Sequence, residues 1–288
     1  MEGSERILFH YTSLEGLLGI ISSKSIWATN VLYLNDASEL NYSINLLREE
    51  INNVKEKIPV DSKGLGKFSF FDGLIEKIDK FIPHPYPFSF FVCSFSEEKD
   101  LLSQWRGYCS RGIGFSLGFN LDKLKGCAEE CKCSITRCTY NEEDQKSELR
   151  KLINEISIRY DTEIKNPSWP LEWGEAELDL FIDLFMEFIE LAPTFKHQKF
   201  EAEKEWRIIV SRNLKSMKSI RFRPGQSMVV PYIEIPLPTE GDNLIINKIV
   251  VGPTHEPKLS KASVEMLLKS KNVKFDEVQY STIPYRNW

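Results

Sequence analysis

The feature of this sequence that most constrains its fold is a dense run of β-forming residues near the middle of the chain. Residues 88–95 read Phe-Ser-Phe-Phe-Val-Cys-Ser-Phe, and they follow a segment in which Pro83, Pro85 and Pro87 exclude regular structure. Aromatic and β-branched residues at this density are typical of a strand inside a sheet. The sequence therefore predicts a central strand over residues 88–95.

Segments of strand type and of helix type alternate on both sides of this run. We predict further strands at residues 7–11, 25–29, 112–119, 134–140, 206–210, 228–235 and 245–251. We predict helices at residues 14–22, 38–57, 70–81, 101–108, 121–131, 144–165, 175–191 and 259–271. This mixture indicates one α+β domain over residues 1–288, with a mainly helical insertion at about residues 141–195.

Composition and charge narrow the classes of protein to which the chain can belong. Hydrophobic residues make up 42% and charged residues 27% of the 288 positions, which is the balance of a globular protein. A net charge of −5 argues against sequence-independent binding to nucleic acid, because that affinity comes from clustered Lys and Arg. The first residues lack the sections of a secretory signal, and the apolar stretches are too short or too interrupted by acids to span a bilayer. We therefore expect a cytoplasmic protein that does not associate with membranes.

Six cysteines occur, and we expect them to be reduced thiols. Four of them, Cys127, Cys131, Cys133 and Cys138, lie close together in the sequence. None of these four has the CxxC spacing of zinc ligands, because Cys127 and Cys131 are one helical turn apart and Cys133 begins a predicted strand. We predict buried thiols and no metal, with zinc as the alternative.

The first group of candidate site residues is His10, Tyr11 and Thr12, where a predicted strand runs directly into a helix. A histidine beside a threonine at a strand end offers polar groups that suit a ribose hydroxyl or an amide. The alternative is a histidine whose hydrogen bonds are satisfied within the core. Asn35, in the loop before the next helix, is either a binding residue or a helix-capping and turn residue.

The second group lies on the central strand and on the short helix that follows it. Strand alternation places Ser94 and Ser96 on one face and Phe95 on the other. Two hydroxyls in so apolar a run need partners if they are buried, so they line a polar pocket or bind a neighbouring backbone. Trp105 and Tyr108 share one face of the short helix and form a candidate aromatic platform for a base, although core packing explains Trp105 equally well.

The third group is the acidic pair Glu203 and Glu205. Where such a pair enters a strand, both carboxylates point to the same side, about 7 Å apart. Like charges at this distance favour different protonation states or a bound cationic partner. One carboxylate can anchor a ribose hydroxyl or an oxocarbenium-like centre while the other orients a nucleophile. The alternative is a solvated strand edge paired with Lys204 and Arg207.

The order of these groups resembles the order of site elements in the ADP-ribosyltransferase superfamily. The resemblance implies a split β-sheet core and NAD as the substrate. His10 would hold the nicotinamide ribose, Ser94 and Ser96 would shape the NAD pocket, Glu205 would promote loss of nicotinamide, and Glu203 would orient a protein or nucleic-acid acceptor. The chain departs from the serine class of that superfamily, which has arginine where this sequence has histidine.

A second resemblance covers nearly the whole chain. The runs HYTS, IWAT, LND with Glu39, CSFS, Gln104-Trp105 with Tyr108, GIGFSLGF, EKEWRI, VVGP and a late PYR are similar to the bacterial domain-of-unknown-function family 2971. That family brings little settled biochemistry. A kinship between it and the ADP-ribosyltransferases is compatible with the site elements above.

Other chemistries lack their sequence signatures. The chain has no GxGxxG opening a helix, no phosphate-binding GxxxxGK[ST], no HExxH and no GxSxG. The resemblance to the ADP-ribosyltransferases leads us to expect an NAD-consuming enzyme, either an ADP-ribosyltransferase or an NAD glycohydrolase, acting as a bacterial toxin or antiphage effector. Two alternatives stay open: a non-catalytic module that binds a nucleotide or ADP-ribose, and a nuclease that holds Mg²⁺ with Asp36, Glu39, Glu203 and Glu205.

Overall fold

The computed structural model describes residues 5–34, 37–58, 66–81, 88–108, 113–163, 175–213, 219–225 and 227–284. The strands are β1 (Ile7–Ser13), β2 (Ser25–Asn30), β3 (Phe88–Ser96), β4 (Gly114–Asn120), β5 (Ser134–Arg137), β6 (Glu205–Asn213), β7 (Arg221–Pro224), β8 (Val229–Pro236), β9 (Thr239–Glu240), β10 (Asn243–Leu244), β11 (Lys248–Val251) and β12 (Glu277–Tyr280). The α-helices are α1 (Leu14–Ser23), α2 (Ala37–Lys55), α3 (Lys67–Phe81), α4 (Leu102–Tyr108), α5 (Leu121–Glu130), α6 (Glu142–Glu163), α7 (Glu175–Leu191) and α8 (Pro257–Ser270). Short 3-10 helices span Val31–Tyr33, Ala192–Thr194 and Gln198–Glu203.

The predicted central strand is β3, and the sheet forks along one of its edges. On the other edge, β3 pairs with β6 along its whole length. On the forked edge, β2 pairs with the middle of β3 through Phe91 and Val92, whereas β1 reaches only its last residue, Ser96. The backbone of β3 between these contacts, which includes Ser94, therefore faces the opening between β1 and β2.

Each branch of the fork continues into further strands. Beyond β1 the order is β4, β11 and β12, and beyond β2 it is β8 and β7. The pair β11–β12 is parallel, and the other pairs of this ten-stranded sheet within the described residues are antiparallel. The sheet is mixed and mostly antiparallel, so the predicted α+β fold class is confirmed.

The described residues form three hydrophobic clusters, and the two larger ones hold the fold together. One joins the sheet to α1, α5 and α8 and contains Phe95, Phe119 and Ile249. The other lies among α2, α3, α6 and α7 and contains Phe71 and Phe181. The segment predicted as a helical insertion, about residues 141–195, thus packs against α2 and α3, which come from an earlier part of the chain. The helical layer is assembled from two distant segments.

Most of the predicted elements match the observed ones within a few residues. The edge strand β7, the short strands β9 and β10 and the late strand β12 were not predicted. No described helix has the length and apolar character needed to cross a membrane. Of the clustered cysteines, Cys138 is buried, Cys127, Cys131 and Cys133 are half-buried, and none of the four is in a disulfide. Among the described residues, no three His, Cys, Asp or Glu side chains are grouped as a metal site requires.

Candidate functional site

Two adjoining pockets lie beside the fork in the sheet. The first, which we call the carboxylate pocket, has a volume of about 370 Å³, and its lining includes Ser94, Lys196, Glu203 and Glu205. The second, the histidine pocket, has a volume of about 360 Å³, and its lining includes His10, Tyr11, Thr12 and Trp27. Among the described residues, three line both pockets: Thr29, Tyr108 and Arg223. Each pocket has the volume of a small-molecule site.

The register between β3 and β6 builds the floor of the carboxylate pocket. Ser94 lies opposite Arg207, and Ser96 lies opposite Glu205. Because residues two apart on a strand share a face, these four side chains point to the same side of the sheet. That side is opposite to Phe95 and Ile208, which enter the sheet core.

A single ammonium group holds three carboxylates at this floor. The Nζ atom of Lys196 lies 2.5 Å from Oε2 of Glu203 and 3.4 Å from Oε1 of Glu39, and it also contacts Oε2 of Glu205. The Lys196 and Glu205 residues are only 6% and 5% exposed. We call Glu39, Lys196, Glu203, Glu205 and Arg207 the ionic cluster.

Arg207 is the second cation of the ionic cluster. Its Nε atom donates to Oε1 of Glu205 at 2.6 Å, and its Nη2 atom donates to Oε2 of Glu39 at 2.6 Å. Its Nη1 atom donates to the carbonyl oxygen of Pro193 at 2.7 Å. Arg207 therefore connects α2, the 3-10 helix Ala192–Thr194 and β6, and together with Lys196 it occupies both oxygens of Glu205.

Electrostatics keep the centre of the cluster ionised. Burial alone would raise the pKa of Glu205, but the adjacent charges of Arg207 and Lys196 lower it to about 2. Burial would lower the pKa of Lys196, but the carboxylates of Glu205 and Glu39 raise it above its ordinary value. Three carboxylates face two cations, so the cluster carries an excess of negative charge beside the pocket.

The structure changes the predicted relation between Glu203 and Glu205. Glu203 ends the 3-10 helix Gln198–Glu203, and Lys204 adopts a left-handed conformation with φ of 43° before β6 begins. Strand alternation therefore does not apply to this pair. Both carboxylates nevertheless face the same side, because both bind Lys196. Lys196 is thus the cationic partner that the sequence analysis gave as one explanation of two neighbouring carboxylates.

His10 lies in the opening of the fork. Its Nδ1 atom is 3.0 Å from the carbonyl oxygen of Ser94 and 3.8 Å from Sγ of Cys93. A carbonyl oxygen only accepts, so Nδ1 carries the proton and Nε2 is left as an acceptor. Burial lowers the pKa of His10, and the bond to Ser94 offsets this only in part. Burial also raises the pKa of the Cys93 thiol, which is therefore protonated and a poor nucleophile.

The other residues of the first predicted group divide between structure and pocket. The hydroxyl of Tyr11 donates to the carbonyl oxygen of Glu98 at 2.7 Å and accepts from the Leu101 amide at 3.0 Å. Tyr11 is 3% exposed, so its main contribution is to fix the chain between β3 and α4. Thr12 lines the histidine pocket. Asn35 and Asp36 lie outside the described residues.

The two serines of β3 have different environments. Ser94 lines the carboxylate pocket. Ser96 is buried, its Oγ donates to the carbonyl oxygen of Glu203 at 2.6 Å, and it accepts from the Glu98 amide at 2.9 Å. Ser96 thus binds a neighbouring backbone, which is one of the two alternatives drawn from the sequence, and it holds Glu203 in position.

Of the two residues of the predicted aromatic platform, Tyr108 lines the pockets and Trp105 does not. Trp105 is 1% exposed, and its Nε1 atom donates to Asp100 at 2.7 Å, so it belongs to the core. Tyr108 is 47% exposed and lines both pockets. Trp27, which the sequence interpretation did not select, is 45% exposed in the histidine pocket, and its ring lies tilted by 35° beside that of Tyr232, with centroids 4.4 Å apart.

Sequence reasoning missed Lys196 and Arg223. Lys196 follows the short 3-10 helix Ala192–Thr194, where no periodic pattern marks it as special. Arg223 lies on the unpredicted strand β7. In the sequence, only the pair of acidic residues Glu203 and Glu205 indicated that a cationic partner lies nearby.

The fold and the pockets define an α+β protein with an ionic pocket at a forked sheet. Residues 104–208 of the chain match the model of a family described as Protein of unknown function (DUF2971). The matched segment runs from α4 to β6 and includes Lys196, Glu203, Glu205 and Arg207, but it leaves out His10, Ser94 and Arg223. No curated protein matches the chain.

Proposed function

We propose that the protein is an NAD-consuming enzyme that transfers ADP-ribose to a macromolecular acceptor or to water. The observation that carries the proposal is spatial. His10, Ser94 and Glu205 are far apart in the sequence, yet they line two adjoining pockets on adjacent strands β1, β3 and β6. This is the convergence that the resemblance to the ADP-ribosyltransferases requires.

The reaction breaks the bond between C1′ of the nicotinamide ribose and the pyridinium nitrogen. The electron pair of that bond leaves with nicotinamide, which becomes neutral, and C1′ becomes electron-poor. A lone pair of the acceptor oxygen or nitrogen then forms the new bond to C1′. The proton of the acceptor passes to a carboxylate and then to solvent. The protein must therefore stabilise positive charge at C1′ and position an acceptor.

The ionic cluster offers a group for each task. Glu205 is fixed by Lys196 and Arg207, and its pKa of about 2 keeps it negative at neutral pH. A fixed negative charge costs no reorganisation when positive charge develops nearby. Glu203 binds Lys196 through Oε2, and its Oε1 has no hydrogen-bond partner among the described residues. We assign Glu203 to orient the acceptor and to take its proton.

Release of nicotinamide from NAD tests the proposal. Purified protein is incubated with NAD alone, with a bacterial protein extract and with nucleic acid, and free nicotinamide is measured by chromatography. We expect release by the wild type and a loss of about 100-fold or more in Glu203→Gln, which is the usual cost of removing a positioned acid–base group. Absence of nicotinamide release under all acceptor conditions contradicts the proposal.

A matched variant separates catalysis from general damage. Glu201→Gln makes the same chemical change in the same 3-10 helix, at an exposed residue that lines neither pocket. It should retain wild-type activity. Equal losses in Glu201→Gln and Glu203→Gln would mean that the carboxylate pocket is not the site of reaction.

One observation favours a second function, a module that binds a nucleotide or ADP-ribose without turnover. Each carboxylate oxygen of Glu205 already accepts a hydrogen bond, one from Lys196 and one from Arg207, so fewer lone pairs remain for a ribose hydroxyl than on an unpaired carboxylate. If the protein is such a module, calorimetry should detect binding of ADP-ribose, and the assay above should detect no release of nicotinamide from NAD.

The metal-dependent nuclease finds less support. The three carboxylates that would hold Mg²⁺ and that the structure describes, Glu39, Glu203 and Glu205, all surround the Lys196 ammonium. A divalent ion would have to displace this buried cation. If the protein is a nuclease, Lys196→Met should increase metal-dependent cleavage of DNA or RNA. If it consumes NAD, the same variant should lose activity.

A further inference from the structure

Arg223 stands where the two pockets meet. It lies on the edge strand β7, opposite Val230 of β8, and it lines both the histidine pocket and the carboxylate pocket. Thr29 and Tyr108 share this position. A ligand that extends from one pocket into the other must therefore pass the guanidinium group.

The guanidinium of Arg223 makes few hydrogen bonds within the protein. Its Nε atom is buried and has no hydrogen-bond partner among the described residues. Its Nη2 atom reaches Oγ1 of Thr29 only at 3.5 Å, and no described carboxylate forms an ion pair with it. Leaving a buried donor unsatisfied is costly, so such a group calls for an explanation.

The neighbouring arginine on the same strand behaves differently. Arg221 pairs with Glu234 at 3.2 Å, its side chain is 62% exposed, and it lines neither pocket. The lack of an acidic partner is therefore particular to Arg223. The acidic residues that line the carboxylate pocket, Glu39, Glu203 and Glu205, are bound instead by Lys196 and Arg207.

We propose that Arg223 binds the diphosphate of a nucleotide that lies across both pockets. A guanidinium presents parallel donors that match phosphate oxygens, and this pairing is stronger than a neutral hydrogen bond. The exposed ring of Trp27 in the histidine pocket provides a surface on which a base can stack. The assignment rests on the proposed function, because it names the part of the substrate that the junction holds.

Calorimetric titration with ADP-ribose, ADP and adenosine tests the assignment without any reaction. We expect the wild type to bind ADP-ribose and ADP, and adenosine more weakly. Arg223→Gln should weaken ADP-ribose and ADP by roughly 10- to 100-fold and leave adenosine unchanged. Arg221→Gln, the same change two residues earlier, should bind all three ligands like the wild type.

The outcomes separate this inference from the proposed function. If NAD is not cleaved but Arg223→Gln selectively loses affinity for the phosphorylated ligands, the result supports the diphosphate site and contradicts the proposed NAD-consuming activity. If NAD is cleaved and Arg223→Gln has the wild-type KM and the wild-type affinity for ADP-ribose, the result supports the proposed activity and contradicts the diphosphate site. A wild type that binds neither ADP-ribose nor ADP also overturns the site.

Discussion

The Nδ1 atom of His10 lies 3.0 Å from the carbonyl oxygen of Ser94, at the point where β1 and β2 separate along β3. A strand next to β3 would ordinarily satisfy that carbonyl with a backbone amide. Here an imidazole replaces the missing amide, so the sheet can open without leaving a buried acceptor unpaired. The bond also joins the linings of the two pockets, because His10 lines the histidine pocket and Ser94 lines the carboxylate pocket.

His10 should make stability depend on pH near neutrality. Burial lowers its folded-state pKa below the ordinary 6.5, so below pH 6.5 the unfolded chain takes up a proton that the folded chain does not. The free energy of unfolding should therefore fall as the pH decreases from 7.5 to 5.5. Denaturant unfolding at both pH values should show that His10→Phe removes this slope.

His10→Phe should also cost about 1–3 kcal/mol at pH 7.5, because the Ser94 carbonyl is left unsatisfied. His255 is exposed, so His255→Phe should keep both the stability and the slope of the wild type. A slope in His10→Phe equal to that of the wild type would show that His10 is not the group that titrates.

Lys196 should be far more important for stability than an exposed lysine. Lys196→Met removes the ammonium that three carboxylates share and leaves their charges buried without it, at a cost of about 3–5 kcal/mol. Lys204→Met removes an exposed lysine that pairs only with Glu98, and it should cost less than about 1 kcal/mol. Urea unfolding of the two variants measures the difference. Similar losses in both would contradict a buried ionic cluster.

Glu205 should stabilise the protein above its ordinary pKa and lose that effect in acid. Its folded-state pKa is about 2 against an ordinary 4.5, so the folded chain releases its proton more readily than the unfolded chain. The stability difference between the wild type and Glu205→Gln should be constant above about pH 4.5 and shrink as the pH falls towards 2. For Glu201→Gln the difference should stay near zero throughout. A Glu205→Gln difference that does not change with pH would rule out the ion-paired state of Glu205.

The elements of the fold could be predicted because their signals are local. The strand at residues 88–95 and the helix at residues 175–191 appear in the structure at or near those limits as β3 and α7. Strand β7 was not predicted, because its four residues, Arg-Phe-Arg-Pro, contain two arginines and end in proline, and the strand is defined by its pairing with β8. The fork in the sheet was expected from a resemblance and not from any local pattern.

The candidate site was predictable only in its acidic and hydroxyl parts. Glu203, Glu205 and Ser94 occur in short polar patterns that stand out from their surroundings. The charge state of that site is decided by Lys196 and by contacts between residues distant in the sequence, such as the 2.6 Å bond from Arg207 to Glu39. Ser96 shows the same limit, because the sequence required a partner for its hydroxyl and only the fold identified Glu203.

The bond between Glu39 and Arg207 joins positions 168 residues apart. During synthesis, a nascent chain that ends before residue 196 contains none of the cations of the ionic cluster, and one that ends before residue 207 cannot join α2 to β6 through Arg207. The carboxylate pocket can therefore assemble only after most of the polypeptide has left the ribosome.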